Sequence, residues 1–455
     1  MSVARYGNDK SERILVIIII VVVIVIIIDT SIVRLSALVN WRFAHDWKNL
    51  TLFIAMSSAY AISQYFVLEF IKRRGGEKEL GFARGRMRLS AATFRKIVSI
   101  IQYVITVILI FVILQVVFYS QYSAAAITAI TVISYATAAV MIGLLAYLFF
   151  SWFNQNRRTG GGLTVLLYGI SSAALVLNTV VGVAFIYSLS ITKAAMLGPH
   201  AGSVSVVIGT QIGRILNPLY IYTSILGFIL VWSATAILLR SYSQRLGKAK
   251  YWFLVSIPLV FFISQFLTLF SNQVASALSL YPALFTLLFV FSKPVGGILF
   301  GAAFYSIGRK GGTSYGGNFI RDYMTLAAYG VVLFFVSSQN TVVQPTYPPF
   351  GVIAASFVGL SGYMMFLSLY SAAISVSQDV KLRQSIRRSA MEEVKFLKKI
   401  GTAQMEQELQ KKVLTIAKKS SENMTQETGV QPSLSEEDMK EYLEVVIKEI
   451  KATKR

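Results

Sequence analysis

Ten long apolar stretches alternate with segments whose lysines and arginines collect on every second side. Few constraints on a chain are tighter. A helix needs about 20 mostly apolar residues to cross the hydrocarbon layer, because no backbone group there has water to bond with. Basic residues gather on the cytoplasmic side. The expectation is an all-α polytopic membrane bundle of about ten transmembrane helices, with both ends cytoplasmic and the plasma membrane as its location. The expected spans are 14–33, 49–71, 97–119, 124–151, 163–186, 219–239, 252–272, 280–307, 323–338 and 350–376. Residues 1–376 form the bundle and 377–455 a cytoplasmic helical tail.

The formal charge of +22 would suit a nucleic-acid surface if it were spread over a soluble domain. Its location argues otherwise. About 37 of the 43 Lys and Arg fall at the ends or in inner loops, about five outside and one within a span. The excess is mainly an orientation signal, and no specific nucleic-acid binding is expected. The run Ile14–Ile28 has the outline of a signal peptide, but it continues through Thr30 to Val33 and is read as an uncleaved first helix. The absence of cysteine removes disulfides, thiol nucleophiles and cysteine-held metals. His45 and His200 both fall in outer segments, so a histidine metal cluster is not expected, nor is any cofactor.

Lys293 is the one basic residue that breaks the orientation pattern. Counting helix rise places it roughly 24 Å from the cytoplasmic end of its span, near mid-depth. A lysine at that depth costs a few kcal/mol and so should meet polar groups, protein or water. Pro294 follows, with Gly296 and Gly297, so a kink or break could free backbone carbonyls beside it. The same count places Asn178 and Gln265 at roughly 20 to 23 Å, making Lys293, Asn178, Gln265 and Pro294 a candidate midplane polar site. The bland alternative is a lysine that snorkels or hydrogen-bonds to neighbouring helices without a ligand.

Other signals have simpler readings beside functional ones. The segment Lys72–Lys96, opened by Lys72, Arg73 and Arg74, reads as a basic loop that orients the chain and meets anionic lipid headgroups. Its glycines lack phosphate-loop spacing. Arg387, Arg388, Lys398 and Lys399 read as headgroup contacts of a basic amphipathic helix that prolongs the tenth span, weakened at Gly401. Gly297 with Gly301, and Gly351, Ala355 and Gly359, are small-residue ladders suited to close helix packing within the bundle. Residues 201–215 form a moderately apolar stretch that is either interfacial or re-entrant. Asp29 and Asp46 are the outer-face carboxylates, candidates for a membrane enzyme's base or simply interfacial side chains.

Near the C-terminus, Ser435 opens a capped helix whose apolar face carries Met439, Tyr442, Leu443, Val446 and Ile450. That face needs a partner. The favoured expectation is therefore a receptor-like or scaffolding membrane protein acting through its tail, by a protein partner or self-association. The alternative is a transporter or channel with a midplane polar site around Lys293. A membrane enzyme using the outer aspartates is the third reading.

Overall fold

The structure is a computed structural model, and it describes residues 17–32, 47–82, 87–156, 162–190, 196–197, 211–241, 247–264, 266, 282–311, 318–339, 347–378, 396–410, 413 and 415–416. Among these, helices run in chain order as α1 (Ile17–Ile32), α2 (Trp47–Phe82), α3 (Met87–Tyr119), α4 (Ala124–Asn156), α5 (Leu163–Ser190), α6 (Gln211–Leu238), α7 (Lys248–Ser264), α8 (Pro282–Gly311), α9 (Asn318–Ser337), α10 (Val352–Gln378) and α11 (396–410). Eight of them, α2–α6 and α8–α10, are long and apolar enough to cross a membrane. The described parts of α1 and α7 are shorter. The architecture is an all-helical multi-pass membrane bundle.

Each expected span overlaps one of the first ten helices, but charge-marked ends misplace several boundaries because a helix does not stop where its apolar run stops. α2 and α3 carry on beyond their apolar windows, to Phe82 and back to Met87, so most of the basic segment expected as a loop is helical. Outside hydrocarbon the intrahelical bonds still close, and Lys, Arg and Glu are good helix formers. Similarly, α6 begins at Gln211, absorbing the last residues of the segment expected to be interfacial or re-entrant, while 201–210 lie outside the described residues. A two-residue antiparallel ladder ties Tyr122–Ser123, just before α4, to Met196–Leu197, between α5 and α6.

Helix contacts close on themselves: α10 packs on α4, α4 on α5, α5 on α6, α6 on α8, α8 on α9 and α9 on α10. The result is a ring of six helices, with α2 and α3 against α10 and α4, and α7 against α8. α3 shows what faces outward: Ile100, Val107, Ile110 and Leu114 recur at helical spacing and are exposed, as a lipid-facing stripe should be. α10 is the opposite case, with 94% of its apolar window buried.

Close approach is set by small residues, since lipid supplies no hydrophobic drive between helices and contact must come from packing. A Cβ on Gly301 would stand 2.5 Å from Val332 Cγ2 and 2.9 Å from the Ala328 carbonyl oxygen, so the Gly297/Gly301 pair seats α8 on α9. On α10, a Cβ on Gly359 would meet the Ser134 carbonyl of α4 at 2.9 Å, and the Gly359 amide donates to Ser134 Oγ at 2.9 Å.

Inside the ring, side chains lie in layers. Phe228 stacks on Phe262 of the neighbouring α7 with centroids 3.8 Å apart and meets Phe300 and Phe335, an aromatic layer roughly 15 Å above the α8 and α6 termini nearest α11. Nearer α11, Phe149, Tyr168 and Phe304 surround Phe396, which comes from α11 itself.

α11 does not prolong α10. Gly401 lies against the end of α10, where a Cβ would stand 2.2 Å from Val376 Cγ1, whereas a straight continuation would place it about 37 Å further on. The glycine expected to weaken this helix instead admits it to the bundle. Phe396, Leu397, Ile400, Ala403 and Gln404 are all buried there.

Candidate functional site

Four charged residues are buried among the described residues, Asp29, Lys293, Asp322 and Glu406, and the first two each meet a helix terminus. Asp29 of α1 is fully buried. Its Oδ1 accepts from the Gly351 amide and its Oδ2 from the Ala354 amide, both at 2.9 Å. The first N–H groups of a helix lack intrahelical acceptors and carry the positive end of its dipole, so a carboxylate there is stabilised. The sequence before α10, Pro348-Pro349-Phe350, offers no capping side chain of its own. Gly351 has φ of 91°, a conformation that favours glycine, and its N–H joins Asp29 to the first turn of α10. Asp29, expected at the outer surface, is thus a capping residue supplied by another helix. Asp46 lies outside the described residues.

Lys293 of α8 is also buried, 7% exposed. Its Nζ donates to the Ser338 carbonyl at 2.7 Å, at the C-terminal end of α9 where carbonyls lack partners and the dipole is negative. Gln339 completes this junction. Its Nε2 donates to the Phe289 carbonyl and, at 2.9 Å, to Ser292 Oγ, while its Oε1 accepts from the Lys293 amide at 3.3 Å. Phe289 O and Lys293 N–H are the pair an ordinary helix joins to each other. Gln339 thus spans from outside the turn of α8 that immediately precedes Pro294. α8 runs unbroken through Pro294, so the expected break is not formed there.

The Lys293 ammonium also lies 6.0 Å from the ring centroid of Tyr220 on α6. One turn along α6, Thr223 Oγ1 donates to Asn178 Oδ1 at 3.1 Å. Asn178 and Lys293, aligned by rise in the sequence, are thus joined through one turn of α6. Gly182, one turn beyond Asn178 on α5, has Tyr220 and Tyr135 on either side: a Cβ there would stand 3.3 Å from the first ring and 3.7 Å from the second. Tyr135, on α4, is buried, and its hydroxyl has no hydrogen-bond partner among the described residues. Four helices of the ring therefore converge on Lys293, Tyr220, Tyr135, Asn178 and Thr223.

Of the remaining sequence-level candidates, Gln265 lies outside the described residues, as do Arg387, Arg388 and the whole face Met439, Tyr442, Leu443, Val446 and Ile450. Lys72 is exposed on α2; Arg73 and Arg74 follow it on the same helix, their side chains outside the described residues. On α11, Lys398 is exposed and Lys399 half-buried. Sequence reasoning missed Tyr135, Tyr220, Thr223 and Gln339. The first three were within reach, since the rise count applied to Asn178 puts them at a similar depth. Gln339 was not, because nothing local links the end of α9 to the turn preceding Pro294.

A second polar set holds α11. Trp152 Nε1 donates to Gln404 Oε1 at 3.0 Å, Gln155 Nε2 to Glu406 Oε2 at 3.1 Å, and Gln407 Nε2 to Ser151 Oγ at 2.6 Å. With Phe396 in its aromatic surround, these contacts close the ring at the α11 end.

Comparison with known proteins returns no match: no family model, no curated protein and no solved structure. Fold and site define a class, a multi-pass integral membrane protein with a closed six-helix ring.

Proposed function

We propose that this chain is a receptor-like or scaffolding membrane protein that couples its bundle to partners through the segment after its last span. The observation that supports this reading is the seating of α11: Phe396 is 2% exposed within Phe149, Tyr168 and Phe304, so a rearrangement of α4, α5 or α8 would alter the seat of the tail. Packed interiors are bistable more than they are deformable, which makes such a contact a means of passing the state of the bundle to the rest of the tail. In this reading the membrane holds about ten spans with both ends in the cytoplasm of a plasma membrane. Lys72, Arg73, Arg74, Arg387, Arg388, Lys398 and Lys399 meet anionic headgroups. The face of Met439, Tyr442, Leu443, Val446 and Ile450 engages a protein partner or a second copy.

The test is cross-linking of the full-length protein in native membranes, compared with a chain ending at 416 and with Phe396→Ala. The expected result is a cross-linked species that the truncation abolishes and Phe396→Ala changes in yield. Identical patterns from all three would overturn the reading.

A second reading, a transporter or channel, is favoured by one observation: Lys293, Tyr220, Tyr135 and Asn178 gather among four helices of the closed ring. Midplane polar groups between helices are where transporters hold their substrates.

A further inference from the structure

Among the described residues, the cluster around Lys293 is rich in donors and short of acceptors. Asn178 meets Thr223 Oγ1 through its Oδ1 at 3.1 Å and carries two amide hydrogens that can donate. Lys293 offers three hydrogens, and among the described residues one acceptor, the Ser338 carbonyl, receives one of them. No ion pair to Lys293 is formed among these residues. Tyr135 brings a buried hydroxyl without a partner among them. A buried ammonium demands a counter-charge or acceptors, and unpaired buried hydroxyls are costly.

We propose that Lys293, Tyr135, Tyr220 and Asn178 form a binding site for a small monovalent inorganic anion of the chloride type. A cation would meet the ammonium, and an apolar molecule would leave its hydrogens and the Tyr135 hydroxyl unsatisfied. Tyr220 and Tyr135 are close neighbours, both rings lying within van der Waals reach of a Cβ at Gly182, so an anion held by the ammonium meets both. The aromatic layer of Phe228, Phe300 and Phe335 lies between the site and the α11 end, and in such an apolar setting charge-assisted bonds are strengthened. The assignment deepens the transporter or channel reading and rests on it for the location of the site, not for transport.

The experiment uses the full-length protein in detergent, unfolded thermally in sodium chloride or sodium gluconate at equal ionic strength. Chloride is expected to raise the midpoint in a saturable manner. Tyr135→Phe should shift the half-saturating chloride concentration upward about tenfold, the loss of one charge-assisted bond. Lys293→Met should abolish the chloride effect; if that variant fails to fold, Tyr135→Phe alone decides. Tyr103→Phe, at an exposed position on α3, should behave as wild type. Coincident curves in chloride and gluconate, or an unchanged chloride dependence in Tyr135→Phe, would overturn the site. Radiolabelled chloride efflux from proteoliposomes separates the site from the transport reading. Stabilisation without flux keeps the site and removes chloride transport, whereas flux without stabilisation removes the site and leaves transport.

Discussion

Replacing Asp29 by alanine strips the cap from α10, the most enclosed helix of the bundle. Two amides, Gly351 and Ala354, then lose acceptors at 2.9 Å in a place where water does not replace them. A buried N–H left unsatisfied costs about 1–3 kcal/mol, so two give about 2–6 kcal/mol. Against this stands relief of the carboxylate's own burial, which is large for an isolated charge but moderated here by the helix dipole and two bonds. The net expectation is a loss of about 3 kcal/mol, above the roughly 0.5–2 kcal/mol of an ordinary solvated cap. Asp29→Asn keeps one acceptor oxygen and turns an N–H₂ toward the other amide, so it should fall between wild type and alanine. Unfolding by SDS titration in mixed micelles, followed by tryptophan fluorescence, measures the order. Hydrogen exchange localises it: with a loss of about 3 kcal/mol, amides in the first turn of α10 should exchange about a hundredfold faster, with the ends of the other helices unchanged. If both variants unfold within about 0.5 kcal/mol of wild type, the reasoning fails, since that is the size of a surface substitution.

Two further substitutions probe the close contacts. Gly301→Ala drives a methyl into Val332 and the Ala328 carbonyl, and overpacking of this kind costs about 1–3 kcal/mol; unchanged stability in the same titration would show that α8 and α9 separate freely. Gly401→Ala places a methyl 2.2 Å from Val376 Cγ1, which should lift α11 from its seat, and limited proteolysis should then cut within 396–410 while the spans stay protected. An unchanged digestion pattern would contradict the seating.

The α11 seat shows how far pattern reading reached. The sequence predicts a basic amphipathic helix after the last span; of its apolar residues, Leu397 is buried on α11, while Ile386, Ala390 and Val394 lie outside the described residues. The helix reads as a headgroup-binding element through its basic residues because hydrophobic period says that a face must be covered and nothing about what covers it. Likewise, Lys293 and Asn178 were placed at one depth by rise alone, but depth is one coordinate of three. Their meeting through Tyr220 and Thr223 depends on which helices are neighbours in the ring.

The amino-acid sequence by itself determined the class of protein and the position of its membrane helices, because the bilayer imposes a length and an apolar character that any spanning segment must show locally. It also marked Lys293 as the basic residue out of place. Tertiary structure alone decided how the buried charges are satisfied. Asp29 is separated from Gly351 by more than three hundred residues, and Lys293 of α8 reaches Ser338 at the end of α9, 45 residues on. Helix termini are recognised by dipole and free backbone groups, which leave no residue signature for a distant partner. The alternating apolar stretches set down the helices, and packing between them chose where each charge found its counterpart.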